Sequence, residues 1–86
     1  MKLQQLKYVR EVARRGLSIS AASQALHASQ PGVSNQIQLL EDELGLLIFE
    51  RHGKRLSAIT PLGESVIAMA ERVLQEVDNL REQAAD

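Results

Sequence analysis

HASQPGVSNQIQLLEDELG, residues 27–45, is the stretch on which the reading of the whole chain turns. Its apolar residues Val33, Ile37, Leu40 and Leu44 follow at steps of four, three and four, the seam of an amphipathic helix. The other face lacks the usual Lys/Glu mixture. It carries Gln30, Ser34, Asn35 and Gln38, uncharged side chains that both donate and accept hydrogen bonds. Ser29 offers a cap, Pro31 falls in the first turn where a missing N–H costs nothing, and Gly45 ends the run.

Upstream, Leu3, Leu6, Val9 and Ala13, broadened by Val12, form the buried stripe of a first helix over residues 3–15. Gly16 suits the left-handed position past its end, Leu17 can fold back onto Val12, and Arg14 and Arg15 complement the negative pole. Ser18 then caps a short second helix whose buried side is Ile19, Ala22, Ala25 and Leu26. Two helices joined through about three residues make a helix-turn-helix signature, and the small alanines permit the close approach such a corner needs. Downstream, LLIFE and RLSAI read as two short strands about a Gly-containing turn, with Arg51, Lys54 and Arg55 at or near the tip. Thr60-Pro61 opens a last helix. In it Val66, Ala70, Val73, Val77, Leu80 and Ala84 repeat at four, three, four, three and four, a heptad seam with Ile67 and Leu74 beside it. Part of that seam can lie on the first helix, and the remainder implies a second chain.

Composition bounds the rest. Eighty-six residues with 44% hydrophobic content suffice for one modest core, which must be aliphatic because Tyr8 and Phe49 are the only aromatics. No cysteine exists, so disulfides and thiolate metal sites are excluded, and a reducing, cytoplasmic setting is expected. The N-terminus mixes charge and apolar residues too quickly for a signal peptide, and no apolar run approaches membrane-spanning length. Net charge is −1 but polarised: residues 1–60 hold eight Lys/Arg against five acids, and residues 61–86 hold two against six. The basic portion is the portion that carries the helix-turn-helix. The chain reads as a module of something longer, divided at 60/61 between a compact unit and a linker or dimerisation helix.

Enzymatic candidates fail. Glu41, Asp42 and Glu43 are consecutive on a helix, splayed by about 100° each, and read as a solvated face rather than a metal site. His27 and His52 lack any metal-type spacing and read as turn residues. No nucleophile, base and orienting group assemble, no phosphate-cradling glycine loop is present, and no cofactor is expected.

The polar helix face has a chemical counterpart. The major groove of B-DNA admits one helix, and its base edges offer donors and acceptors in mixed positions that Gln and Asn amides match. Such a face can also be plain solvent decoration. The ordered company of a capped short helix, a tight corner, a polar-faced second helix and a basic hairpin argues for the groove, with the hairpin cations beside the neighbouring minor groove or phosphates. A protein-association module working through residues 62–84 is the alternative.

At SISAASQALHASQPGVSNQIQLLEDELGLLIFER, followed by ITPLGE, the sequence resembles the DNA-binding domain of LysR-type transcriptional regulators over residues 2–86. SQPGVS, LEDELG and HGKRLSAITPLG, one residue longer between Arg51 and Thr60 than the commoner pattern, are similar to the CysB-like branch. The resemblance implies a mainly α, winged helix-turn-helix fold with a three-helix core, a small β-hairpin wing and a long C-terminal linker helix. It implies a homodimer on dyad-symmetric double-stranded DNA, an effector taken by a further domain, and control of sulfur assimilation on the CysB-like branch, and it leaves a tetramer in a full-length protein open. Carried over by position, Gln30, Pro31, Ser34 and Asn35 match recognition-helix contacts, Ser20 and Ser29 backbone contacts, and Lys54 or Arg55 the wing base. Gln38 and Arg51 complete the expected interface. Asn35 departs from the family, where Arg or Lys is common.

Overall fold

A computed structural model describes residues 1–85 as α1 (Leu3–Arg14), α2 (Ile19–Leu26), α3 (Gln30–Leu44), β1 (Phe49–His52), β2 (Arg55–Ile59) and α4 (Pro61–Ala85). Asp86, the final residue of the expected linker segment, lies outside the described residues. The first three helices pack around Leu6, Val9 and Val12 of α1, Ala22 of α2, and Val33, Ile37 and Leu40 of α3. Ile48, Phe49, Ala70 and Leu74 close this core. Each such fully buried aliphatic or aromatic side chain contributes about 1.5–3 kcal/mol of transfer free energy, so the fold rests on a single small aliphatic cluster.

Caps set the corners. Past α1, Leu17 N–H donates to the Val12 carbonyl at 2.9 Å, satisfying one of the last free carbonyls of the helix. Ser18 Oγ accepts from Ala21 N–H and Ser29 Oγ from Gly32 N–H, both at 3.0 Å, so α2 and α3 each begin on a serine. His27, left-handed at φ 54°, turns the chain between them. On α2 the buried side differs from the expected one. Ser23 is buried because its hydroxyl donates to the Ser20 carbonyl at 2.8 Å, whereas Ala25 is exposed.

The hairpin starts later than the LLIFE pattern predicts. Leu46 to Ile48 form a bend rather than a strand, since Gly45 redirects the chain and Ile48 N–H is taken by a side chain of α3. Antiparallel pairing runs from Phe49↔Ile59 to His52↔Arg55 across the Gly53-Lys54 turn, where Gly53 takes φ 65°. His52 therefore ends a strand instead of sitting in the turn. The register shifts between Glu50 and Arg51, and Ser57 bulges out with its hydroxyl on the Glu50 carbonyl.

Thr60 joins hairpin to α4. Its N–H donates to the Ile48 carbonyl at 2.9 Å, its hydroxyl donates to the Leu47 carbonyl, and the same oxygen accepts from Gly63 N–H at 2.9 Å. Gly63 lies directly on the Ile48 backbone: a Cβ there would stand 2.1 Å from the Ile48 oxygen. Only glycine fits. Along α4, Gly63, Ala70 and Leu74 are buried, with Ile67 partly so, and α4 crosses α1 on that face, pinned by Arg14 to Glu71 at 3.1 Å. Beyond Leu74 no described residue of α4 is buried.

Gly63→Ala should therefore lower the unfolding free energy by about 1–3 kcal/mol, because backbone rather than a flexible side chain must move. Urea denaturation read by circular dichroism measures it, and an unchanged midpoint would contradict the close approach.

Candidate nucleic-acid interface

α3 separates its two chemistries by rotation about its axis. Val33, Ile37 and Leu40 are buried, while Gln30, Pro31, Asn35 and Gln38 are exposed and Ser34 is half-buried. Among the described residues none of the Gln30, Asn35 and Gln38 amides makes a side-chain hydrogen bond. Gln36, on a third side, is used internally: it accepts from the Gln5 amide of α1 at 3.2 Å. The outward amides are left with their hydrogen-bonding capacity for a partner.

Two shallow concavities meet at Gln30 and Lys54. One, about 440 Å³, is lined by residues 16–20, Gln30, Lys54, Arg55 and Leu56. The other adds Pro31 and Ser34. The fold thus brings Ser20, Gln30, Pro31, Ser34, Lys54 and Arg55 to one surface made by the starts of α2 and α3 and the tip of the hairpin. No acidic residue lines either concavity. Ser29 is exposed at the edge with its hydroxyl occupied by the cap.

Three arginines are neutralised within the chain. Arg14 pairs with Glu71, Arg15 with Glu11 at 2.8 Å, and Arg51 with Glu41 at 3.1 Å. Lys54 and Arg55 have no ion-pair partner among the described residues. The hairpin tip thus sets two cations without ion-pair partners beside Gln30, and the positive pole of α3 adds to them.

Glu41 overturns the solvated-face reading of residues 41–43. It is 3% exposed, and its Oε2 accepts from Ile48 N–H at 2.8 Å and Phe49 N–H at 3.2 Å while Oε1 accepts from Arg51. Three donors satisfy this buried carboxylate, as burial of a charge requires. Asp42 and Glu43 do remain exposed, the latter on the chain's terminal amine at 2.8 Å. Arg51 is consequently held against α3 and lies apart from the surface that Lys54 and Arg55 share.

The expected seam on α4 also divides. Ala70 is 1% exposed and packs inside this chain, and Val66 is partly covered by the same core, so Ala70 has no area left for a second chain. Val73 (42%) and Leu80 (67%) are exposed, as is Ala84, with Val77 half-covered. Sequence reading missed Leu62 and Met69, which extend the exposed stripe at 61% and 58%. Arg72, Val73, Glu76, Val77 and Leu80 form an open, almost wholly apolar trough.

Residues 3–64 match the family described as "Bacterial regulatory helix-turn-helix protein, lysR family". The chain belongs to that family. It is 48% identical over 81 residues to the HTH-type transcriptional regulator CysB of Haemophilus influenzae, covering 94% of this chain and 25% of that regulator. The chain thus spans about a quarter of the length of such curated relatives. Full-length OxyR C199D from Pseudomonas aeruginosa superposes at a TM-score of 0.92 and 39% identity, over 99% of this chain and 28% of that one. The CbnR DNA-binding domain in its DNA complex superposes at 0.89 and 33% identity, over 99% of this chain and 95% of that one.

Ser29→Ala removes the cap that starts the polar-faced helix and should cost about 1 kcal/mol of stability. A lower urea midpoint with an unchanged m-value is the expected signature, and a midpoint equal to the parent's would show the cap to be idle.

Proposed function

We propose that the chain is the DNA-binding and dimerisation module of a bacterial transcriptional regulator, reading a dyad-symmetric operator as a homodimer. Residues 1–60 form the winged helix-turn-helix and residues 61–86 the linker that pairs two copies. α3 enters the major groove, which at about 12 Å is as wide as a helix with its side chains. Gln30, Asn35 and Gln38 meet base edges, and Ser34 and Pro31 let the backbone come close. Ser20 and Ser29 lie at phosphates, and Lys54 and Arg55 enter the minor groove or its phosphates. The observation that carries this reading is the set of unengaged amides of α3 beside two unpaired cations, with no carboxylate lining the concavities where Gln30 meets Lys54 and Arg55.

The dimer is supported by the exposed stripe Met69, Val73 and Leu80, with half-covered Val77 between them, on a helix whose last eleven described residues lack any buried member. On the CysB likeness the whole regulator controls sulfur assimilation in the cytoplasm, takes a small-molecule effector through a further domain, and assembles as a tetramer. A regulator of this kind binds and performs no catalysis.

Selection of bound sequences from random duplexes identifies the operator, and titration of two variants on it separates the roles. Gln30→Ala should relax base preference at one position by about 1–3 kcal/mol. Arg55→Ala should weaken all duplexes alike and reduce the salt slope by about 1. If both variants bind as the parent does, or the parent ignores DNA at low salt, the association module is the better account.

Val73→Glu places a carboxylate in the middle of the trough. Sedimentation velocity should show dimer converting to monomer with the helical content retained, since Val73 has no part in the core of its own chain. Persistence of the dimer would move the interface off α4.

A further inference from the structure

The proposed DNA surface is split between two elements of unequal rigidity. The amides ride on α3, inside the core, whereas Lys54 and Arg55 sit at the tip of a two-stranded ribbon, a unit that is marginal alone in water. Of β1 only Phe49 is buried, and the bulge at Ser57 interrupts the ladder midway. Something must set the angle at which the ribbon leaves α3.

Glu41 is placed for that task. It lies on the last turn of α3 and touches the ribbon twice over. Oε2 holds the amides of Ile48 and Phe49 at its root, and Oε1 holds the Arg51 guanidinium beyond the bulge, one residue short of the terminal pair His52↔Arg55. Two points fixed on opposite sides of the irregularity define a direction, which one point cannot.

We propose that the Glu41–Arg51 pair is a positioning device that fixes the tilt of the wing against α3, so that Lys54 and Arg55 reach DNA in the pose in which Gln30 meets a base. The inference rests on the DNA-binding reading above. Arg51 acts through Lys54 and Arg55 and does not touch DNA.

The test is a double-mutant cycle on the whole chain, with the selected duplex, anisotropy titrations at several salt concentrations, and a thermal melt of each variant. Arg51→Gln leaves Glu41 its two amide donors and should melt within about 5 °C of the parent. It should weaken binding by about three- to tenfold without a change of its own in salt slope, because no phosphate contact is lost directly. In the Arg51→Gln background, the loss caused by Arg55→Ala should shrink to less than about twofold, the non-additivity expected of residues acting as one unit. Arg51→Lys, which still offers Glu41 a cationic partner, should restore most of the Arg55 effect. Full additivity, with Arg51→Gln lowering the salt slope by about 1 by itself, overturns the proposal and makes Arg51 a phosphate ligand. Failure of the Lys variant to restore coupling also overturns it. A parent chain indifferent to Arg55→Ala sinks the DNA reading and this inference with it, an outcome distinct from additivity.

Discussion

One buried carboxylate governs how the two halves of the surface meet. Glu41 faces the interior of a molecule with very little polar material inside it, and the cost of removing its charge from water is offset by two backbone amides and a guanidinium. The amides belong to Ile48 and Phe49, whose side chains are fully buried, so the same two residues fill the core and satisfy the carboxylate. The Ile48 carbonyl then receives Thr60 N–H and abuts Gly63. Helix, hairpin and linker are thereby joined within one short bend. Removing one partner there would leave buried donors or a buried charge unmatched, a larger loss than any surface ion pair in this chain could cause.

The amphipathic design of α4 has two apolar faces, one covered within this chain and one exposed. Gly63 lies on the Ile48 backbone and Ile67, Ala70 and Leu74 pack on the core, and Leu62, Met69, Val73 and Leu80 occupy the adjoining side, roughly a third of a turn round the helix. Small residues lie on the inward side at Gly63 and Ala70, where the helix must approach other backbone. Larger ones lie on the outward side, where a dimer partner would have to be filled in.

Much of this was legible because it is local. Serine caps, the proline at the start of α3 and the corner between α2 and α3 are set by neighbours within four positions, and residues of that range can be read in order. Glu41 was not legible, since nothing in LEDELG distinguishes its first acid from the next two; what does so is the pair of amides seven and eight positions on, brought back by Gly45. The start of β1 was misplaced for the same reason, as the apolar run LLIFE looks extended while its first three residues are bent to serve that carboxylate. The seam on α4 was read as one stripe where there are two, because residues 66, 70, 73, 77, 80 and 84 run along the border between them. Met69, in the middle of the outward stripe, fell outside the heptad count. The outward side chains of α3 and the wing tip stand out in the sequence by polarity and charge, and Arg51 was grouped with them because a sequence does not reveal which cation already has a partner.

The distribution of unpaired charge bears on why such a module would work in pairs. Among the described residues, Lys54 and Arg55 are the cations without an ion-pair partner that line the concavity beside Gln30, and each phosphate neutralised would contribute about 0.9 to the salt dependence of binding. Two cations and three amides give one copy little hold at physiological salt, whatever its base preference. Joining two copies makes the second contact intramolecular, and the gain is kept only if both surfaces reach their half-sites together. That condition is geometric: the half-sites of such dimers lie about 34 Å apart, one turn of the duplex, so each α3 must be held at a fixed angle to the pairing helix. Here that angle is held by packed material throughout, from Leu74 and Ala70 of α4 through Val9 and Val12 of α1 to Val33 and Ile37 of α3. A core this small has few side chains to spare, and more than half of them lie along the line that links the proposed dimer contact to the proposed DNA contact.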